Sequence, residues 1–249
     1  MNTSLHNLLQ RPDIWRPRDR RSSGSSGAST GYGDLDRALH GGGWPRAALT
    51  ELLVARPGIG ELRLLAPLLS ELKTQQLWQV WINPPFIPYA PALLQQGIDP
   101  ALVLIVQGEA RQQLWACEQA LRSAACGAVL FWPAASLRYT ELRKLQVAAA
   151  AQHCSGFLLR DTRSAAQPSP AALRLQLHGD EHALQLDILK QRGGNSGQRI
   201  SLPHGYTLQM QVPINQRAAV STTIDPTEHS LPTTPAVAAD KPLSVVTWQ

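Results

Sequence analysis

A strand, a glycine loop and a helix follow one another between Ala48 and Leu72, and that order constrains the chain more than any other stretch. Ala48 to Leu53 has the composition of a buried strand, and after Leu62 the residues Leu65, Leu69 and Leu72 recur at helical spacing. Between them runs Ala55-Arg56-Pro57-Gly58-Ile59-Gly60-Glu61-Leu62. A phosphate-cradling loop occupies this context and ends Gly-Lys-Ser/Thr, the ammonium holding the outer phosphates and the hydroxyl holding Mg²⁺. Here Gly60 is followed by Glu61 and Leu62. A carboxylate repels phosphate oxygens, and a leucine coordinates no metal. At a helix start Glu61 instead sits favourably against the helix dipole, in the place an anion would take. Arg56, Gly58, Gly60 and Glu61 therefore read as a degenerate phosphate loop, with no cofactor, no metal and no catalytic residue expected.

Beyond the loop, strands and helices alternate. Strands are expected at 78–82, 102–106, 128–132 and 156–159, and helices at 89–96, 111–123 and 137–152. Pro67 should kink the first long helix or restrict it to a weaker start. This order predicts an α/β fold with a mostly parallel central sheet covered on both faces. The pattern then shifts to period two. Leu173, Leu175 and Leu177, then Leu184, Leu186 and Ile188, alternate with polar residues across a Gly179-Asp180-Glu181 turn. Another turn at 193–197 and strands near Ile200 and 206–212 complete an antiparallel meander. Trp78, Trp81 and Trp132 are expected in the core and Trp44 partly exposed.

Composition bounds the rest. An apolar share of 43% is enough to bury a core in 249 residues, and the net charge of +5 is concentrated in Arg11 to Arg21 and Lys190 to Arg199. Cys117, Cys126 and Cys154 are odd in number and lack CxxC or His spacing, which disfavours a disulfide framework or zinc site and suits buried thiols in a reducing cytosol. There is no signal core and no stretch of membrane-spanning length, so no membrane contact and a cytoplasmic location are expected. Three segments result: a basic leader with a Gly/Ser linker (1–28), a folded core (29–212), and a disordered Pro/Thr/Ala/Ser-rich tail (213–249).

Candidate contact residues lie in three places. Pro84, Pro85, Phe86 and Tyr89 belong to the proline-stiffened apolar loop 84–89 after the second strand, suited to a protein partner, with internal packing as the alternative. Val245, Val246 and Trp248 form an apolar cluster at the end of the tail. It is either a docking peptide for a partner's groove or sheet edge, or a terminus folded back on its own domain. Lys190, Arg192 and Arg199 flank the glycine-rich turn as a perch for a DNA backbone, with a charged hairpin end as the alternative.

The opening Ser29-Thr30-Gly31-Tyr32 through Leu35-Asp36, Gly41-Gly42-Gly43-Trp44-Pro45 and Thr50-Glu51 resembles the approach to the phosphate loop in the RecA/RadA ATPase core. That resemblance covers roughly 29–205 and implies a RecA-like three-layer sandwich. Three of its chemical positions are lost. The phosphate-loop lysine is Gly60 or Glu61, a proline of Asn83-Pro84-Pro85 replaces the catalytic acid, and Trp132 stands where a metal-supporting aspartate would. Chemistry that depends on positioned charge and metal is not expected to survive this. A core of this kind resembles the ImuA family of translesion-synthesis accessory proteins. The strings Cys117-Glu118-Gln119-Ala120-Leu121-Arg122, Gly127 to Pro133 and Ile188 to Gly194 are close to its pattern. The resemblance implies a non-catalytic scaffold of SOS mutagenesis, bridging RecA to an ImuB-type Y-family polymerase homologue and an error-prone replicative-type polymerase, with DNA a further candidate partner. Residues 50–161 also resemble SulA, the SOS cell-division inhibitor that binds FtsZ and blocks its polymerisation. SulA chains are usually shorter and lack the opening motif and meander, so the scaffold is the first expectation and the FtsZ-binding inhibitor the alternative.

Overall fold

The computed structural model describes residues 27–152, 154–180, 182–203 and 244–247. In chain order the elements are α1 (Gly33–Ala38), β1 (Leu49–Val54), α2 (Glu61–Thr74), β2 (Trp78–Ile82), α3 (Ala90–Gln95), β3 (Val103–Gln107) and α4 (Ala110–Leu121). There follow β4 (Cys126–Phe131), α5 (Tyr139–Ala151), β5 (Ser155–Asp161), β6 (Leu173–Gly179), β7 (Ala183–Gln191), β8 (Arg199–Pro203) and β9 (Ser244–Thr247). All strands join one sheet in the order β8-β7-β6-β1-β5-β4-β2-β3-β9. The pairs from β6 through β3 are parallel, β7 and β8 add as an antiparallel meander, and β9 pairs antiparallel with β3. The α/β class and the antiparallel ending match the sequence reading. A strand at 206–212, the leader at 1–26 and most of the tail lie outside the described residues.

Strand alternation divides the core into two layers, one on each sheet face. Along β4, Ala128 and Leu130 pack with Leu64, Leu65, Leu69 and Leu72 of α2. Val129 and Phe131 pack on the other face with Cys117 and Leu121 of α4 and Leu142 and Leu145 of α5. Glycine is required where a helix or side chain presses on the sheet: a Cβ at Gly156 would lie 2.5 Å from a Leu49 methyl.

Pro67 does not break its helix; α2 runs unbroken from Glu61 to Thr74. A proline at 67 removes the N–H that would bond to the carbonyl of residue 63. The hydroxyl of Tyr32 donates to that Arg63 carbonyl at 3.0 Å. Gly31, with φ of +81°, lies so close to Pro67 that a Cβ there would fall 2.5 Å from the proline Cβ. The Thr30-Gly31-Tyr32 run of the opening segment is thus a cap fitted to the proline. Two tryptophans depart from expectation. Trp44 is fully buried, edge-on to Phe157 at 5.4 Å, and Trp78 is 38% exposed. Trp81 and Trp132 are buried together, and all three cysteines are buried free thiols.

Candidate functional site

The carboxyl ends of the parallel strands carry the segments with site character. After β1, the chain turns through Gly58 (φ +83°) and Gly60 (φ +117°) into α2. These positive φ angles suit glycine alone among common residues and aim both amides inward. The Gly58 N–H donates to Glu61 Oε1 at 2.7 Å and the Gly60 N–H to Glu61 Oε2 at 3.2 Å. Glu61 is buried and Arg56 exposed. The anion of this loop is a residue of the chain itself. Over it sits a cavity of about 220 Å³ bounded by Tyr32, Arg63, Leu64, Leu184, Leu202 and Pro203. Its walls from the meander are apolar, a poor lining for phosphates or a hydrated cation. Among the described residues no three His, Cys, Asp or Glu side chains cluster as metal ligands.

Three strand spacings away across β5 and β4, about 14 Å, the loop after β2 rises from the same edge. Asn83, in a left-handed conformation at φ +53°, anchors its start. The Asn83 backbone N–H donates to the Val106 carbonyl at 2.8 Å and its Nδ2 to the Trp132 carbonyl at 2.9 Å, joining the ends of β2, β3 and β4. Pro84 and Pro88 are buried feet, while Pro85, Phe86 and Ile87 arch between them into solvent. Phe86 is 70% exposed, Ile87 67%, Tyr89 72% and, one helical turn on, Leu94 55%. Four large apolar side chains this exposed within nine residues form a contiguous patch of the kind that marks protein contact sites. Prolines at 84, 85, 88 and 91 hold the backbone in advance, which lowers the ordering cost of binding. Sequence placed Pro84 in this patch; the structure makes it a buried foot and adds Leu94.

The basic trio is differently disposed. Arg199 grips Asp187 at 2.6 and 2.8 Å. The Lys190 ammonium donates to the Ser169 carbonyl at 2.7 Å, and burial, then Arg174 and Arg192, push its pKa down. Arg192 is exposed. Two of the three charges therefore serve hairpin contacts, the arrangement of a charged hairpin end. Val245 and Val246 pair with Val106 and Ile105 of their own chain, and Trp248 lies outside the described residues.

One buried network escaped the sequence reading. Glu51, fully buried in β1, accepts from Arg160 of β5 at 3.1 Å, Arg174 of β6 at 2.8 Å and the Ser169 hydroxyl at 2.6 Å. Arg174 also donates to the carbonyls of Ser164, Ala165 and Gln167. The signal was available: one glutamate in an apolar strand, and one arginine in each strand that flanks it.

These features describe a mixed α/β protein whose glycine loop is filled from within and whose three most exposed large apolar side chains among the described residues, Phe86, Ile87 and Tyr89, follow the carboxyl end of β2. A sequence profile described as "Cell division inhibitor SulA" matches residues 49–156. The cell division inhibitor SulA of Klebsiella aerogenes is 30% identical over 118 residues, 47% of this chain and 70% of that protein. The chain belongs to the SulA family. The crystal structure of SulA from Pseudomonas aeruginosa is 26% identical, with a TM-score of 0.38, covering 47% of this chain and 98% of that one. This family membership overturns the translesion-synthesis scaffold expected above, and with it the expected ImuB-type, error-prone polymerase and RecA partners. Residues 49–156 span β1 through the start of β5 and include both the degenerate loop and the apolar arch. No helix among the described residues is long and apolar enough to cross a membrane.

Proposed function

We propose that this protein is an SOS-linked inhibitor of cell division that acts by binding FtsZ and blocking its polymerisation, with Phe86, Ile87, Tyr89 and Leu94 as the contact surface. The observation that carries this reading is the coincidence of the SulA match with the exposed apolar arch. Aromatic side chains on a stiff backbone supply much of the energy in protein interfaces. Inhibition by occupancy requires such a surface and no chemistry. Accordingly we read the core as a degenerate RecA-like scaffold that hydrolyses no nucleotide, because Glu61 fills its phosphate loop and Pro84 and Trp132 hold the other two chemical positions. The opening segment and the meander lie outside residues 49–156 and carry no role in this reading.

The test is FtsZ assembly followed by light scattering and sedimentation, with purified FtsZ and increasing full-length chain. Inhibition near stoichiometric ratio is expected. Phe86→Ala with Tyr89→Ala should raise the half-inhibitory concentration by roughly 30-fold or more, as expected for two interface aromatics, with the melting temperature unchanged because both rings are solvated. Undisturbed FtsZ assembly at tenfold molar excess would overturn the proposal. Nucleotide turnover that disappears on mutating Gly60 would overturn the non-catalytic part alone.

A further inference from the structure

The two edges of the sheet are protected unequally. The β8 edge carries Arg199 and Pro203, a charge and a proline, which discourage pairing with another chain. The β3 edge reads Val-Leu-Ile-Val-Gln, without charge, proline or glycine, the composition of a strand that templates aggregation. What lies against it is the chain's own segment Ser244–Thr247, antiparallel, with Leu104 opposite Thr247, Ile105 opposite Val246, Val106 opposite Val245 and Gln107 opposite Ser244. Beside this edge runs a groove of about 500 Å³ lined by Trp78, Val80, Leu104, Val106 and Trp115, with Trp115 57% exposed.

The hydrogen-bond register can be worked out from β3's inner neighbour. The Val106 carbonyl accepts from Asn83 on the β2 side. Backbone groups alternate sides along a strand, so Ile105 and Gln107 turn their N–H and C=O outward. Ile105 with Val246 and Gln107 with Ser244 are then the hydrogen-bonded pairs, and Val245 turns its N–H away from β3. The tether also has suitable length. From β8 to β9 the sheet is eight strand spacings wide, about 38 Å. Residues 204–243 separate the two strands, and at up to roughly 3.3 Å per residue that length of chain is more than enough to cross the distance. A segment carried on a connection long enough to reach its site pairs with it intramolecularly, at a raised effective concentration.

We propose that the outer edge of β3 is a reversible strand-docking site whose occupant is the chain's own residues 244–247, a tethered strap that keeps an otherwise unguarded edge from pairing with a second copy. The strap is held by a four-residue pairing, so it opens and closes rather than locking.

Amide exchange of Ile105 and Gln107, followed by NMR at low protein concentration, tests this. The comparison is between the full chain, Val246→Pro, Val245→Pro and a chain ending at Leu243. In the full chain and in Val245→Pro both amides should be protected. In Val246→Pro and the shortened chain they should exchange about tenfold faster, the order of loss expected when an intramolecular pairing is removed. The peptide Leu-Ser-Val-Val-Thr-Trp-Gln, added at about 1 mM, should restore protection to the shortened chain. Equal protection without residues 244–249 would overturn the proposal, since something else would then cover the edge. So would protection that rises with protein concentration alongside a dimer mass, which would make a second copy's tail the occupant.

Discussion

Replacing Glu61 with alanine leaves the Gly58 and Gly60 amides aimed at an empty anion position. Two hydrogen bonds to an ionised carboxylate are lost, at 2.7 and 3.2 Å. Bonds of this type contribute about 1.5–3 kcal/mol each when buried. Gly58 is exposed, so water replaces part of the loss and the net cost should be about 2 kcal/mol. For a domain of this size that lowers the melting temperature by about 4–8 °C. The vacated loop should also recover what sequence pattern alone attributes to it, affinity for a small anion. Inorganic phosphate at ten times its dissociation constant restores about 1.4 kcal/mol, or about 3–5 °C. Differential scanning fluorimetry in phosphate against chloride at matched ionic strength reads both effects. The general stabilisation that phosphate gives any fold is removed by comparison with the unaltered chain. Should the unaltered chain gain as much from phosphate as Glu61→Ala, the carboxylate does not fill the loop and the reasoning fails.

Glu51→Gln should cost about 3–5 kcal/mol, because Arg160 and Arg174 keep their charge inside the sheet without a counterion; the midpoint of urea unfolding measures it. Tyr32→Phe should cost about 1–2 kcal/mol by removing the hydroxyl that donates to the Arg63 carbonyl in place of the helical N–H that Pro67 lacks, whereas Tyr32→Phe combined with Pro67→Ala should regain most of that loss in the same assay. The Asp187 carboxyl is held below the usual carboxylate range, chiefly by its hydrogen bonds from Arg199. A depressed folded-state pKa gives stability that is complete above the unfolded value of about 3.9 and is lost as pH falls through the folded value beneath it. Melting temperatures between pH 5 and 2 should therefore fall more steeply in the unaltered chain than in Asp187→Asn, and 1 M salt should narrow the gap.

What the sequence disclosed and what it withheld follow from the range of the interactions. Leu65, Leu69 and Leu72, and the alternation from Leu173 to Ile188, record which face of an element is buried, and those elements appear where the pattern puts them. The antiparallel ending of the sheet follows from the same alternation. Pro67 misled because its effect was judged within its own helix, while the group that relieves it, the Tyr32 hydroxyl, is 31 residues away. Trp44 was judged beside its glycines, while its burial is decided by Phe157 on a distant strand. Lys190 and Arg199 looked available for an outside phosphate because Ser169 and Asp187 become their partners only once the hairpin closes. In the apolar arch, proline content signalled rigidity, but only the fold separates Pro84 and Pro88 as feet from Phe86 and Ile87 as the displayed face.

The same contrast explains why the functional expectation followed the wrong relative. The opening segment and the meander decided it, and in the structure both turn out to support neighbouring elements. Thr30-Gly31-Tyr32 caps a proline-interrupted helix, and Leu184 and Leu202 roof the glycine loop. Packing roles of this kind are set by what lies beneath them and say little about a partner. The arch from Pro85 to Leu94 has the opposite character. Burying Phe86, Ile87 and Tyr89 would stabilise the fold, since each carries about 1.5–3 kcal/mol of hydrophobic driving force, yet the chain holds Phe86 and Ile87 in water between two proline feet, with Tyr89 exposed just past the second. A stiff backbone holding apolar side chains away from the core is poorly explained by folding stability and well explained by a surface that something else must cover. That physical asymmetry is why, within the SulA-matched residues 49–156, the proposed contact falls on these side chains.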